Sequence, residues 1–235
     1  MLSVIIPTFN EIKSGYIQNI FALLSNTENI EVICIDSNST DGTKELINKY
    51  GFILIQTDTT SRAKRLNIGI EKALGEMLLL HHPRSVLSVN ALSVLKNDQD
   101  LYWGAFTHRF DLSHPLLRFT SWWSNKWRGD KRHIFYLDHC FYIRKEIMTE
   151  LGPIPEVDIF EDTELSLMLR TYCEPIRLDD ISLTSSIRFS GNGVWKQALK
   201  NQKLKWLYYF KADHKKMNKD YERDIALNSN YEEKE

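Results

Sequence analysis

Apolar and polar residues alternate along the first eighty positions in a strand-then-helix rhythm. Leu2 to Pro7 is a short apolar run of strand type, ended by a proline that cannot donate to a sheet ladder. From Ile12 to Leu24, the residues Ile17, Ile20, Phe21 and Leu24 recur at the spacing of one helix face. Glu31 to Asp36 predicts a second strand. Thr40 or Asp41 then caps a helix that runs to Tyr50, with Gly51 as its stop. Phe52 to Gln56 predicts a third strand, and Ser61 opens a helix through Ala63, Leu66, Ile70 and Leu74 that Gly75 ends. Glu76 to Leu80 predicts a fourth strand, landing on His81, His82 and Pro83. This rhythm predicts βαβ units and an α/β fold: a mostly parallel, Rossmann-like central sheet flanked by helices.

The second half is less regular. Leu101 to Phe110 predicts a strand, His114 to Trp127 an aromatic helical stretch, Cys140 to Ile143 a strand, and Lys145 to Leu151 a helix closed by Gly152 and Pro153. Glu161 to Tyr172 is amphipathic through Leu165, Met168 and Leu169, and a strand is expected over Leu183 to Phe189. A basic, aromatic, amphipathic helix follows from Val194 to Lys211. Residues 1–213 read as one domain, and 214–235 as a polar tail expected to be disordered.

Composition narrows the class. The chain has 235 residues, 43% hydrophobic and 26% charged, enough apolar material for a sizeable core. A net charge of −1 provides no basic footprint for nucleic acid. Cys34, Cys140 and Cys173 are far apart and lack CxxC spacing, which disfavours a disulfide framework or zinc site and predicts a cytoplasmic protein. The first apolar run is cut by Pro7 before a signal peptide could form, and no run approaches the roughly 18 apolar residues of a membrane span.

In open α/β sheets, ligands bind beyond the carboxyl ends of the strands. That geometry selects Pro7 to Glu11, Asp36 to Asp41, Asp58 to Arg62 and His81 to Ser85. Asp36 stands at a strand tip, where a carboxylate accepts hydrogen bonds from a ribose or a base N–H. Asp41 also suits a turn or a cap, and Thr8, Asn10 and Glu11 suit a turn followed by first-turn acidity. Arg62 lies in the first turn of its helix, against the dipole preference, which hints at a base or phosphate contact. Glu161 and Asp162 open another helix; a carboxylate at a cleft mouth can take the proton of an attacking hydroxyl. Asp138 and His139 form a similar polar pair before a strand.

The runs LSVIIPTFNE, EVICIDSNSTDGT, SRAKRLNIGIEKALGEMLLLHH and IFEDTELSLMLR, in this order, resemble the family 2 glycosyltransferases of GT-A fold. GAFTHRFD, DHCFYIRKEIMTELGPIPE and SSIRFSGNGVWKQAL add likeness to the short bacterial branch of selenium- or radical-SAM-associated glycosyltransferases. The resemblance implies a nucleotide-diphosphate sugar donor, with Pro7, Thr8, Glu11 and Asp36 at the nucleoside pocket and Arg62 on base or phosphate. It implies Asp162, beside Glu161, as the base of an inverting transfer; Asp138 and His139, read from the residues alone, are expected near the acceptor. It also implies a divalent metal, Mn²⁺ or Mg²⁺, on the leaving diphosphate.

One departure stands out. The family's metal-binding Asp, expected after the fourth strand, is replaced by Pro83 within His81-His82-Pro83-Arg84. Three explanations compete: His82 or His81 ligates a metal, Arg84 replaces the cation on the diphosphate, or the chain is a non-catalytic nucleotide-sugar- or partner-binding relative. The C-terminal helix, with Trp195, Leu199, Trp206 and several lysines, either closes the sheet or rests on a membrane surface near a lipid-linked acceptor. Trp122, Trp123 and Trp127 are either core or an acceptor platform.

Overall fold

Strand β1 (Leu2–Thr8) passes through a single 3-10 turn (Ile12–Ser14) into α1 (Tyr16–Ser25). Then follow β2 (Ile30–Asp36), α2 (Thr43–Lys49), β3 (Ile53–Gln56), α3 (Arg62–Lys72) and β4 (Met77–Leu80). A two-residue β5 (Ser85–Val86) and α4 (Val89–Asn97) lead to β6 (Trp103–Phe110) and α5 (Pro115–Trp122). The last of these continues as a π-helical stretch, Trp123–Asp130. The chain ends with β7 (Phe141–Arg144), α6 (Lys145–Leu151), α7 (Glu161–Leu169), β8 (Ile176–Thr184), α8 (Ile187–Asn192) and α9 (Val194–Tyr209). This computed structural model describes residues 1–210 and Met217; the tail expected to be disordered, 214–235, otherwise lies outside the described residues.

The eight strands form one sheet in the order β3-β2-β1-β4-β7-β6-β8-β5. The first four strands in sequence pair in parallel, whereas β7 runs antiparallel to both β4 and β6, and β5 antiparallel to β8. The sheet is therefore mixed and mostly parallel.

Strand alternation sorts the core onto two faces. Leu2, Val4 and Ile6 of β1 and Met77 and Leu79 of β4 meet Ile17, Ile20, Phe21 and Leu24 of α1 and Leu92 and Leu95 of α4. Ile5, Leu78 and Leu80 point the other way, onto Ala63 and Leu66 of α3 and Leu165 and Leu169 of α7. At full burial each such side chain stabilises the fold by about 1.5–3 kcal/mol. Gly69 lets α3 lie close on the sheet, because a Cβ there would sit 2.4 Å from Ile5 Cγ2.

Several sequence expectations are corrected. The strand expected over Leu183 to Phe189 is β8, Ile176–Thr184, and Phe189 belongs to α8. Its polar residues, half-exposed Arg177 and Asp180 and exposed Asp179, mask the strand pattern. Helix α4, absent from the expected elements, is capped by Ser88, whose hydroxyl accepts the Ala91 N–H at 3.1 Å, and buries Ala91, Leu92 and Leu95 at helical spacing. Trp122, Trp123 and Trp127 are not core: all three are exposed. Helix α9 packs against α8 and, through Leu204, against Ile159, while Trp195, Leu199 and Trp206 face outward. Among the described residues no helix is long and apolar enough to cross a membrane.

Candidate active site

The parallel register places Thr8 beside Asp36 at the ends of β1 and β2. Thr8 donates its hydroxyl to Asp36 Oδ2 at 2.8 Å, and Asp36 also accepts the Ser39 N–H at 2.7 Å and the Ser39 hydroxyl at 2.6 Å. Both side chains are fully buried, and Pro7 is buried beside them in β1. The two strand tips are cross-linked further on. Asn10 donates its N–H to Ser39 Oγ and accepts the Thr40 N–H on its side chain. Asp41 accepts the Ile12 N–H on one oxygen and the Thr43 N–H and hydroxyl on the other. The residue directly before α2 is Gly42, so Asp41 acts from one position further out than a cap and joins two loops. Asn10 and Asn38 hold left-handed turns, a conformation asparagine tolerates. Arg65 was not anticipated: buried one turn into α3, it donates to the carbonyls of Thr8 at 2.9 Å and Thr60 at 3.2 Å. Its signal was a second arginine three residues after Arg62, on the same helix face.

Glu11 lies beyond β1, and Arg84 beyond the neighbouring β4. Arg84 donates Nε to Glu11 Oε2 at 2.8 Å and Nη2 to Oε1 at 3.3 Å, a two-point pair with both side chains under a tenth exposed. Burial raises the Glu11 pKa, and the Arg84 guanidinium opposes that rise. Arg84, expected on a diphosphate, thus gives two of its N–H groups to Glu11.

The segment between β4 and Arg84 does not suit a hard divalent cation. Pro83 has no ligand atom. The His81 ring is buried against the His82 carbonyl at 2.9 Å, and burial pulls its pKa down to about 4. His82 Nδ1 accepts the Arg84 N–H at 3.1 Å. Burial, then Arg62 and Arg84, hold His82 well below the ordinary histidine range, so its ring is neutral. Among the described residues no three His, Cys, Asp or Glu side chains gather to hold a metal ion. Mn²⁺ and Mg²⁺ prefer several oxygen ligands, which this segment does not provide.

On the other side of the cleft, Phe160 adopts a left-handed backbone (φ 66°, ψ 24°) immediately before α7. A bulky residue there is strained, and such strain gathers at sites that must aim a side chain. The next two residues are Glu161 and Asp162. Arg62 Nε donates to Glu161 Oε1, and Arg62 Nη2 lies 3.7 Å from Asp162 Oδ2. Asp162 accepts the Leu137 N–H at 3.0 Å and the Thr163 N–H at 2.8 Å. Burial first, then the neighbouring Glu161, raise its pKa to about 7, against the pull of Arg62 and the Leu137 N–H. Arg62 therefore has a partner within the chain that accounts for its place against the dipole.

Asp138 sits in a 3-10 turn, Leu137–His139, with its carboxylate 3.4 Å from His108 Nε2 and 4.0 Å from His139 Nε2. Burial would raise its pKa, but His108, His139 and Arg128 prevail and bring it to about 2. His139 is fully buried, with one ring nitrogen against the Phe106 carbonyl at 3.0 Å and the other against Ser124 Oγ at 2.7 Å. It stands behind Asp138 rather than in the cleft, and His108 takes the forward position.

A cavity of about 230 Å³ brings these groups together. Of the expected residues, Arg62, His82, Arg84, Asp138 and Asp162 line it; Pro7, Thr8, Glu11, Asp36, Glu161 and His139 do not. His108, Arg128, Arg188 and Lys205 line it as well. Sequence reasoning passed over His108 although it alternates inward on β6, and Arg128 had no signal apart from its aromatic neighbourhood. Arginine and lysine thus outnumber carboxylates in the lining, which suits an anionic ligand.

Solved structures share this fold. TarS of S. aureus (residues 1–349) aligns with a TM-score of 0.61 at 19% identity, over 79% of this chain and 58% of that one. The mannosyltransferase PcManGT of Pyrobaculum calidifontis, in complex with GDP-Man and Mn²⁺, aligns with a TM-score of 0.60 at 17% identity, over 86% and 60%. Glucosyl-3-phosphoglycerate synthase of Mycobacterium tuberculosis, with Mn²⁺, UDP and glucosyl-3-phosphoglycerate, gives 0.56 at 14%, over 77% and 70%. The chain therefore spans about three-fifths of the length of the first two, and the likeness establishes the GT-A-like α/β fold. No protein of curated function matches the chain. Residues 3–151, more than half of the sequence, match the family model described as Glycosyl transferase family 2, and the chain belongs to that family.

Proposed function

We propose that this protein transfers a glycosyl group from a nucleoside diphosphate sugar to an acceptor hydroxyl with inversion, and that Asp162 is the base. The acceptor O–H proton passes to an Asp162 oxygen as the acceptor oxygen bonds to the anomeric carbon. The bond from that carbon to the diphosphate breaks, and its electron pair leaves on the phosphate oxygen. The observation that carries this reading is the placement of the Asp162 carboxyl in the wall of the cationic cavity, 3.7 Å from Arg62 and held by the Leu137 and Thr163 N–H groups; burial and Glu161 raise its pKa there. A base with a pKa near the working pH is ionised enough to act and strong enough to accept a proton.

Arg62 and Arg84 are the side chains we assign to the departing diphosphate, in place of the metal for which the Pro83 segment is unsuited. Thr8, Asp36 and Glu11 would then act mainly from behind, fixing the loops and Arg84. Pro7 belongs to the same supporting layer. Within the family, the motif runs support a place in the short bacterial selenium- or radical-SAM-associated branch. The PcManGT and glucosyl-3-phosphoglycerate synthase structures hold Mn²⁺, so metal use is where this chain is expected to differ.

Pro83 favours one second reading: a family member that binds nucleotide sugars without turning them over. Donor hydrolysis across UDP-, GDP- and dTDP-sugars, each with Mn²⁺, Mg²⁺ or EDTA, separates the two. Turnover that persists in EDTA supports the transferase without metal. Binding of a donor with no turnover under any condition supports the second reading, and turnover only with Mn²⁺ or Mg²⁺ contradicts the assignment of Arg62 and Arg84.

A further inference from the structure

Tyr136 stands between two cations. The Arg128 guanidinium lies 3.3 Å from its ring centroid, and Lys205 Nζ lies 5.7 Å away. Among the described residues neither forms an ion pair with a carboxylate. Arg128 Nε is buried and has no hydrogen-bond partner among the described residues. Asp138 acts on both through space without a direct ion pair, and two cations against one carboxylate at this ring leave net positive charge that suits an anion.

These residues also mark a junction. Arg128, Tyr136 and Lys205 line both the cavity that holds Asp162 and a second hollow of about 800 Å³. The walls of this larger groove are aromatic: Phe119, Trp123 and Trp127 from α5 and its π-helical extension, Trp206 and Phe210 from α9 and its end. Each of the five is between 43% and 76% exposed. Exposed Arg132 lines the same groove. Large aromatics held open beside basic residues suit the boundary between lipid chains and anionic head groups.

We propose that the acceptor is a lipid whose phosphate carries a hydroxylated head group, with the chain in the aromatic groove and the phosphate at Arg128 and Lys205. The head-group hydroxyl then extends into the cavity toward Asp162. This rests on the glycosyl-transfer reading above and names the acceptor class for the same site. The order of chemistry along the path matches such a molecule: apolar groove, cationic neck, then a carboxyl base.

The test uses the full chain in sedimentation with vesicles of phosphatidylcholine, alone or doped with phosphatidylglycerol, whose phosphate bears free hydroxyls. The expected result is marked preference for the doped vesicles. Lys205→Gln should reduce partitioning about fivefold, the effect of one lysine at an anionic surface. Trp127→Ser combined with Trp206→Ser should reduce it more while leaving the melting temperature unchanged, since both rings are exposed. Lys49→Gln, exposed on α2, is the charge-matched control and should have no effect. Equal partitioning to both vesicle types, loss in Lys49→Gln as large as in Lys205→Gln, or full competition by soluble glycerol 3-phosphate would overturn the proposal. So would a wild-type dimer that the tryptophan substitutions dissociate, because a second copy would then fill the groove. Nucleotide affinity measured by calorimetry without vesicles keeps the two readings apart: donor binding without lipid preference sinks only the acceptor assignment, and lipid preference without donor binding sinks the transferase.

Discussion

Arg62 Nη2 lies 3.7 Å from Asp162 Oδ2, joining the first turn of α3 to the first turn of α7 across the candidate cleft. Glu161 completes the cluster through Arg62 Nε. The arginine lowers the Asp162 pKa and Glu161 raises it, so these two neighbours act on the proposed base with opposite sign.

A pH dependence follows from that opposition. Transfer needs ionised Asp162, so kcat/KM should rise with pH through about 7. Arg62→Gln removes the lowering charge and should move the midpoint upward; Glu161→Gln removes the raising charge and should move it downward. Rate profiles of the three proteins check this, and midpoints that shift together or not at all would contradict it.

Stability carries the same signature. Folding raises the Asp162 pKa above the roughly 3.9 of an unfolded aspartate, so the folded state holds the proton more tightly. The stability linked to this group is fully present below the unfolded value and is lost as pH rises through about 7. Asp162→Asn removes the titration. The melting temperature of the wild type minus that of the variant should therefore fall between pH 5 and pH 8, and a constant difference would disprove the linkage.

The Glu11–Arg84 pair makes a separate prediction. Both side chains are under a tenth exposed, so Glu11→Gln leaves a buried guanidinium without its counter-charge, at a cost of about 3–5 kcal/mol. Replacing both, as Glu11→Leu with Arg84→Met, should recover most of the loss. Urea unfolding measures each; a double variant as unstable as the single one would contradict the pairing.

Close packing of α3 on the sheet is also testable. A Cβ at position 69 would meet Ile5 Cγ2 at 2.4 Å and Ile35 Cδ1 at 2.7 Å. Gly69→Ala should destabilise by about 1–3 kcal/mol through overpacking, despite the better helix propensity of alanine. An unchanged urea midpoint would show that the helix shifts without penalty.

Legibility in the sequence followed the physics of each region. The first four strands and their helices have clean periodicity because each strand is short, apolar and bounded by turn residues. Beyond Leu80, local pattern no longer determines pairing: β7 enters antiparallel between β4 and β6, a choice made by tertiary packing. The acidic pair at Glu161 and Asp162 was visible, and so was the oddity of Arg62, but their contact was not, since it joins distant parts of the chain. Glu11 with Arg84 was hidden for the same reason: it depends on β1 and β4 lying side by side. His108 and Arg128 needed the fold itself, which turns one strand and one aromatic helix toward a common hollow.

The most direct measurement compares wild type with Asp162→Asn for donor turnover and nucleotide affinity in the same buffer. Loss of the base should lower turnover by about a hundredfold to ten-thousandfold while nucleotide affinity stays within a factor of a few. Unchanged turnover in Asp162→Asn, with the nucleotide still bound, would contradict the assignment of this carboxylate and the mechanism built on it.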